Sequence, residues 1–587
     1  MIKARLVCLV LLAATLVLPM HRSSAQSGES IFDQIKREHE WIEKHLHHRD
    51  SATAQAAIHT LDVTPQQSVD VKHYRLQIQL NPAASTIAGT VTIDAAAIAV
   101  ISALNIDAQD NLTIDAVRVD GAVRSFTRTS ERVTVNFTDA LTIGKPFAVA
   151  IDYHGTPVVA NRLGGGMLVA EHGPDGATAM ASLSEPFAAP SWWPCIDNPS
   201  DKATSETEIT VPKGYTAASN GALVKTEATP SQTTTFFWRE DYPLANYLIS
   251  VAATNYVRFE DTYTAMDGRK MPLVYYVYPE HLELAQLKFA ITRRALEIFA
   301  PLFGEYPFLN EKYGMAEFPW SGGMEHQTLT SLGANIIGSV TNSGQSVIAH
   351  ELAHQWWGDL VTMRTWDDIW LNEGFATYSE VLFFERFAGL AAGDLMHNSY
   401  DDGKTFGRMG GTIKAENLSD PFDDTGAIYT KGAWVLHMLR HLLGDQPFFD
   451  ALKEYASRYG FGNASTLDFQ TVCEAHYGDK LDWFFQQWMS APGRPFYKAS
   501  SDISTRDASG NYTVTLTIKQ KQSHEIPGRA QSVYIMPLDV TIHYADGSAE
   551  TRVIRNDARK QSFSFTVSKR PVDVGLDEGH WVLKKLK

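Results

Sequence analysis

The sequence predicts a multidomain α+β chain: an amino-terminal antiparallel β domain, a mostly helical middle domain and a small β-sandwich at the carboxyl end. Three observations carry that prediction. Residues 61–256 alternate apolar and polar with period two, as where Tyr74, Leu76, Ile78 and Leu80 interleave with Arg75, Gln77 and Gln79 before a turn at Asn81 and Pro82. Residues 257–495 carry helical spacing over most of their length, beginning near Glu283. Alternation returns in residues 496–587, at 512–518, 538–542 and 562–567, which is enough for a sandwich. With 587 residues, 44% of them hydrophobic, each domain has material for its own core.

Taken in order, the chain opens with Lys3 and Arg5, an apolar run over 6–19 and the small residues Ser23, Ser24 and Ala25. Residues 1–25 therefore read as a cleaved secretory signal, too short for a stable membrane anchor, and predict an exported protein, periplasmic or secreted. Residues 26–60 form a helical extension in which Ile31, Ile35, Trp41, Ile42 and Leu46 supply the apolar anchors. His45, His47 and His48 match no metal-ligand spacing and read as a solvated helix end. Further strands of the β domain are expected at 89–93, 133–137, 147–153, 208–211 and 247–253. Beyond the signal only Cys195 and Cys473 remain, too few for a disulfide scaffold, and their positions do not say whether they pair. A net charge of -16 argues against nucleic acid as a partner. Nothing in the composition marks an oligomeric state.

The middle domain is organised around residues 347–373, which contain His350, Glu351 and His354. Residues four apart share one helical face, so the two imidazoles point the same way and can hold one metal ion. Asn342 and Ser343 offer a cap with Gln345 three positions after Asn342, and Val347, Ile348, Leu352 and Trp356 supply an inner face. After a turn at Gly358, a second helix from about Trp366 returns Glu373 to the pair as a third ligand. Two His and one Glu leave a coordination position open, the usual arrangement of catalytic zinc, one ion per chain. Glu351 follows the first histidine, where its carboxylate reaches a metal-activated water without taking a coordination position. A later helix is expected from near Tyr429 to a stop at Gly444.

Several separated stretches resemble one family, the gluzincin aminopeptidases that include aminopeptidase N and the leukotriene hydrolase. They are Gly322 to His326 (GGMEH), His350 to Asp359 (HELAHQWWGD), Trp370 to Ala376 (WLNEGFA), Tyr429 to Ala433 (YTKGA) and Pro194 to Pro199 (PCIDNP). The resemblance implies a thermolysin-like catalytic domain, with His350, His354 and Glu373 as zinc ligands and Glu351 as general base. It implies that Tyr429 donates to the developing oxyanion and that Glu325 and Glu185 hold the free amine of a peptide. It also implies that the backbone of Gly322 and Gly323 pairs with extended substrate as an added strand. The expected reaction is zinc-dependent removal of amino-terminal residues from peptides. His326 stands where the family usually has Asn and Leu183 where many members have Gln, both expected to flank the first substrate pocket and to bear on specificity. The large helical domain at the carboxyl end of long members is absent from this sequence, which implies a more open site. Asp359 is open to three readings: orienting a ligand imidazole, forming a salt bridge or capping a helix. The alternatives are an endopeptidase of the same metal class, which has no reason to place Glu325 and Glu185 at an ammonium, and a non-catalytic scaffold, which should lack the ligands or the base that are all present here.

Overall fold

The computed structural model describes residues 30–38, 68–161, 163–340, 344–401, 412–413, 421–422, 424–523, 526 and 532–587. The signal segment, His45, His47 and His48, and the capping residues Asn342 and Ser343 lie outside them. A first helix, α1, covers 31–38.

The β-rich half is built on an eight-stranded sheet in the order Ala222–Ala228, Thr233–Leu244, Ala203–Pro212, Val69–Asn81, Thr86–Ala97, Pro146–Gly155, Leu112–Val119 and Ala122–Arg124. The alternation seen in the sequence is the alternation of burial: Tyr74, Leu76, Ile78 and Leu80 are inside and the polar residues between them face outward. The prediction of a purely antiparallel domain needs correction at the centre, because Val69–Asn81 pairs in parallel with Ala203–Pro212, His73 opposite Thr204. The strands between them in sequence form the crossover that parallel neighbours require. A four-stranded sheet, Thr216–Ser219, Val251–Thr254, Ala177–Leu183 and Gly166–His172, brings the end of Ala177–Leu183 to the cleft described below. The segment after it is held where Asp107 and Cys195 exchange backbone hydrogen bonds of 2.8 and 3.0 Å. Cys195 and Cys473 are both buried and unpaired.

The middle region starts with a five-stranded mixed sheet, ordered Val257–Thr264, Lys270–Val277, Tyr313–Phe318, Thr330–Gly333 and Gly323–Met324, so that the short glycine-containing strand lies on the edge. Among the helices that pack beside it or follow it, four build the site: α2 (Leu282–Phe303), α3 (Gln345–Ala353), α4 (Trp370–Ala388) and α5 (Gly432–Leu443). α4 is buried from Trp370 to Phe384, so its polar residues in that span, Thr377, Ser379 and Glu380 among them, lie in the interior with the apolar ones. α4 and α5 meet at two glycines: a Cβ on Gly374 would lie 2.9 Å from the Cα of Gly432. Any side chain there would push the helices apart and carry Glu373 away from Tyr429. The helix expected from Tyr429 onward has a different start, a π-helical turn over Gly426–Lys431 that runs into α5, which stops before Gly444 as predicted. The wider turn is a feature that recurs at functional sites.

The last ninety or so residues form a four-stranded sheet (Lys560–Val567, Tyr512–Gln520, Phe496–Ile503, Lys585–Leu586) and a three-stranded one (Ala549–Asn556, Met536–Tyr544, Pro571–Leu576). Their contact with α5 is aromatic: Trp581 stacks on His437 and His441, with ring centroids 4.7 and 4.9 Å apart. Among the described residues no helix is long and apolar enough to cross a membrane.

Candidate metal centre and active-site cleft

α3 carries His350 and Glu351, and His354 closes its last turn, so both imidazoles leave the same face. α4 begins one turn before Glu373 and points its carboxylate back at them. Glu373 Oε2 lies 3.3 Å from His350 Nε2 and 3.4 Å from His354 Nε2. One donor atom from each of the three residues falls within 4.8 Å of the others, as convergence on one ion requires.

The other ring nitrogens are occupied by the protein. His350 Nδ1 is 2.8 Å from Glu380 Oε1, and His354 Nδ1 is 2.8 Å from the carbonyl of Trp357. Each of those partners accepts, so each Nδ1 carries a hydrogen, which leaves the two Nε2 atoms, on the Glu373 side, as the positions from which a metal would be held. Glu380 in turn accepts from the Tyr400 hydroxyl at 3.1 Å. Sequence reading missed Glu380. It stands seven residues, two helical turns, beyond Glu373 on the same face, a signal that was available. Asp359, by contrast, does not orient a ligand: its two carboxylate oxygens are buried without hydrogen bonds, and its backbone carbonyl accepts from Lys202 Nζ at 2.6 Å.

Glu351 Oε2 is buried and has no protein partner. Burial raises its carboxyl to about 8, with His350 and His354 opposing the shift. The strand Gly323–Met324 passes so close that a Cβ on Gly323 would sit 2.2 Å from Glu351 Oε1, which accounts for the glycine. The neighbouring Gly322 has φ +130° and accepts from the Gly333 N–H at 2.7 Å, closing the hairpin whose outer edge stays free to pair. Tyr429 lies beside His350, its ring nearly parallel at 16° with centroids 5.9 Å apart. Burial, then Glu373 and the other acids, push its phenol far above 10, so it keeps its proton and can donate.

Glu325 and Glu185 come from opposite sides, the first from the edge hairpin and the second from the β-rich half. With Glu373 they place three carboxylate oxygens within 4.8 Å of one another. Glu185 is raised by burial and by Glu325 and Glu373, and Glu325 by burial, although His354 pulls it down. Glu185 Oε1 has no hydrogen bond, while Glu325 accepts from the Tyr247 hydroxyl at 3.4 Å, and that hydroxyl accepts from Asn372 at 3.2 Å. Tyr247 thus links the residue beside Glu373 to Glu325, across a sequence gap no motif spans. The hairpin is pinned from below by Asn220 on the Gln327 carbonyl at 2.7 Å and by Gln355, next to His354, which accepts from the Thr328 N–H at 2.9 Å.

These groups line one cleft of about 730 Å³ including its open mouth. Its apolar wall consists of Leu163, Leu183, Trp320, Met324, Val347 and Phe422. Leu183 therefore flanks the cleft as expected. His326 does not: it is fully buried and off the cleft lining, with Nδ1 2.9 Å from Ser331 Oγ. Burial lowers its imidazole to about 3, so it stays neutral. Five acids, Glu185, Glu325, Glu351, Glu373 and Glu380, and no Lys or Arg among the described lining residues make the cleft a place for cations. The two-His-one-Glu set with both Nε2 atoms turned inward fits zinc.

Comparison with known proteins agrees with this geometry. The profile of the Peptidase M1 N-terminal domain matches residues 70–248 and that of the Peptidase family M1 domain matches residues 288–488. The chain belongs to peptidase family M1. Glutamyl aminopeptidase of Bos taurus is 30% identical over 335 residues, covering 54% of this chain and 34% of that protein. Probable aminopeptidase 1 of Sulfurisphaera tokodaii is 24% identical over 429 residues, covering 70% of this chain and 52% of its own length. The chain thus spans about a third of the length of the glutamyl aminopeptidases it matches. Among solved structures, aminopeptidase A of Legionella pneumophila shares the fold with a TM-score of 0.74 at 20% identity, over 89% of this chain and 60% of that one. The M1 zinc metallopeptidase of Deinococcus radiodurans, solved as a mutant bound to a Tyr-Ser-Ala substrate, superposes with a TM-score of 0.62 at 25% identity, over 73% of this chain and 95% of that one.

Proposed function

We propose that this M1 peptidase is a zinc-dependent aminopeptidase that removes amino-terminal residues from peptides. The observation that carries the proposal is the adjacency of two sites for positive charge: the ligand set His350, His354 and Glu373, and the acids Glu185 and Glu325 that share the cleft with it. Zinc, when bound, supplies Lewis acidity, polarising the scissile carbonyl and lowering the pKa of a water. The ammonium of the substrate is held between Glu185 and Glu325, and a charge-assisted contact of this kind fixes which peptide bond reaches the metal. Strand Gly323–Met324 pairs with the extended backbone beyond it. Glu351 takes the proton of the attacking water and passes it to the leaving amine, a role suited to a carboxyl that burial has made more basic. The Tyr429 hydroxyl donates to the oxyanion as it forms.

The apolar wall of Leu163, Leu183, Trp320 and Phe422 supports a neutral, apolar first side chain over an acidic one. The pattern of residues 1–25 supports export, and the two carboxyl-terminal sheets are read as a small sandwich bracing α5. The test is hydrolysis of leucyl- and glutamyl-arylamides and of their N-acetylated forms, with and without a chelator. Chelator-sensitive cleavage of the free leucyl substrate alone is expected. Equal cleavage of free and acetylated forms would replace the exopeptidase reading with an endopeptidase one.

A further inference from the structure

Among the described residues, α3, the helix that carries the metal ligands, has no side-chain cap from its own flank. Its Ncap residue is Gly344, left-handed at φ +101°, with no side-chain hydrogen bond to the first turn. One open donor there, the Gly344 N–H, is met by a carboxylate 306 residues earlier in the chain. Glu38, the last described residue of α1, accepts from the Gly344 N–H at 2.8 Å through Oε1 and from the Ser346 hydroxyl through Oε2. Gln34, one turn back on α1, donates to the same Oε1 at 3.2 Å. Glu38 is 7% exposed and Ile35 beside it 1%, so α1 is docked rather than draped.

Burying a carboxylate is costly unless something at the site prefers it charged. Here burial raises the Glu38 carboxyl, and Glu380, the acid that holds His350 Nδ1, adds to that. The donors at the start of α3 act the other way, as does the positive end of the helix dipole. Lys288 of α2 faces the same group. Ser346 lies one turn before His350 and itself lines the cleft. The contact therefore fixes the end of α3 from which His350 and Glu351 project.

We infer that Glu38 is a positioning residue for the metal centre: the amino-terminal extension clamps the ligand-bearing helix by its first turn, and through it sets His350 and Glu351 against Glu373. This goes beyond the aminopeptidase reading and rests on it only where activity is the readout.

The test uses the full chain with Glu38→Ala and Glu38→Gln, and three measurements: zinc affinity by competition with a chromophoric chelator, hydrogen exchange of the amides of residues 344–350, and kcat and KM separately. For Glu38→Ala, zinc affinity and kcat should each fall about ten-fold, as for the loss of a group that orients a ligand, with KM within about two-fold. Exchange at Gly344 and the first turn of α3 should quicken even with zinc bound. Glu38→Gln keeps an acceptor for the Gly344 N–H and should fall between the two. The inference is overturned if Glu38→Ala keeps wild-type zinc affinity and exchange, or if its losses match the fraction of unfolded chain seen by circular dichroism. Should the wild type hydrolyse no arylamide at all, the aminopeptidase reading fails, and the zinc and exchange measurements still decide this one.

Discussion

On the metal side of the cleft, both ligand imidazoles have their Nδ1 atoms tied to acceptors, Glu380 and the Trp357 carbonyl. On the facing side, Glu185 Oε1 is buried with no hydrogen bond and Glu325 accepts from the Tyr247 hydroxyl at a long 3.4 Å. Under the proposed function the difference is one of task. A metal ligand must be fixed in one tautomer before the ion arrives, so its outer nitrogen is spent on the protein. An acid that reads an ammonium must keep its oxygens for the substrate, and the cost of burying it is offset when the substrate's charge enters.

The largest effect should come from the group that serves both sides. Glu351→Gln is expected to lower kcat by about 10³-fold or more while keeping zinc, since the carboxylate moves a proton and is no ligand. His354→Ala should lose the ion itself, and metal analysis of both variants separates the two roles. Next, Tyr429→Phe should cost about 10²- to 10³-fold in kcat with little change in KM, as for removal of one oxyanion donor. On the acid side, Glu325→Gln alone should lower kcat/KM for free-amine substrates by about 10²-fold. On the metal side, Glu380→Gln should weaken zinc binding by about 10- to 100-fold, measured by chelator competition, and leave the discrimination between free and acetylated substrates intact. The smallest effect is expected at His326, which faces away from the cleft: His326→Asn should leave the preference among aminoacyl-arylamides unchanged in a substrate panel.

The metal side was the more legible in the sequence, and the reason is spacing. His350, Glu351 and His354 lie within about one helical turn, so local periodicity places them, and Glu373 follows in the next α-helix, a short connection away. Glu380 obeys the same rule and was overlooked. The alternating strands were legible for the same reason, but the parallel pairing of Val69–Asn81 with Ala203–Pro212 was not, because pairing over some 130 residues leaves no local pattern. Glu185 and Glu325 emerged from family resemblance alone; nothing in their immediate sequence separates them from ordinary loop acids. Tyr247 and Glu38 act across gaps of 78 and 306 residues and could be found only once the chain was folded. The misplacing of His326 has a plainer cause: standing next to Glu325 in a motif does not say which way a side chain turns, and His326 turns to Ser331.

The division of labour between the two sides is tested most directly by the double variant Glu185→Gln with Glu325→Gln, assayed for zinc content and for the ratio of kcat/KM between a free and an N-acetylated leucyl-arylamide. A full complement of one zinc per chain together with a ratio that collapses toward unity is the predicted result. Loss of zinc, or a ratio that stays at the wild-type value, would contradict it.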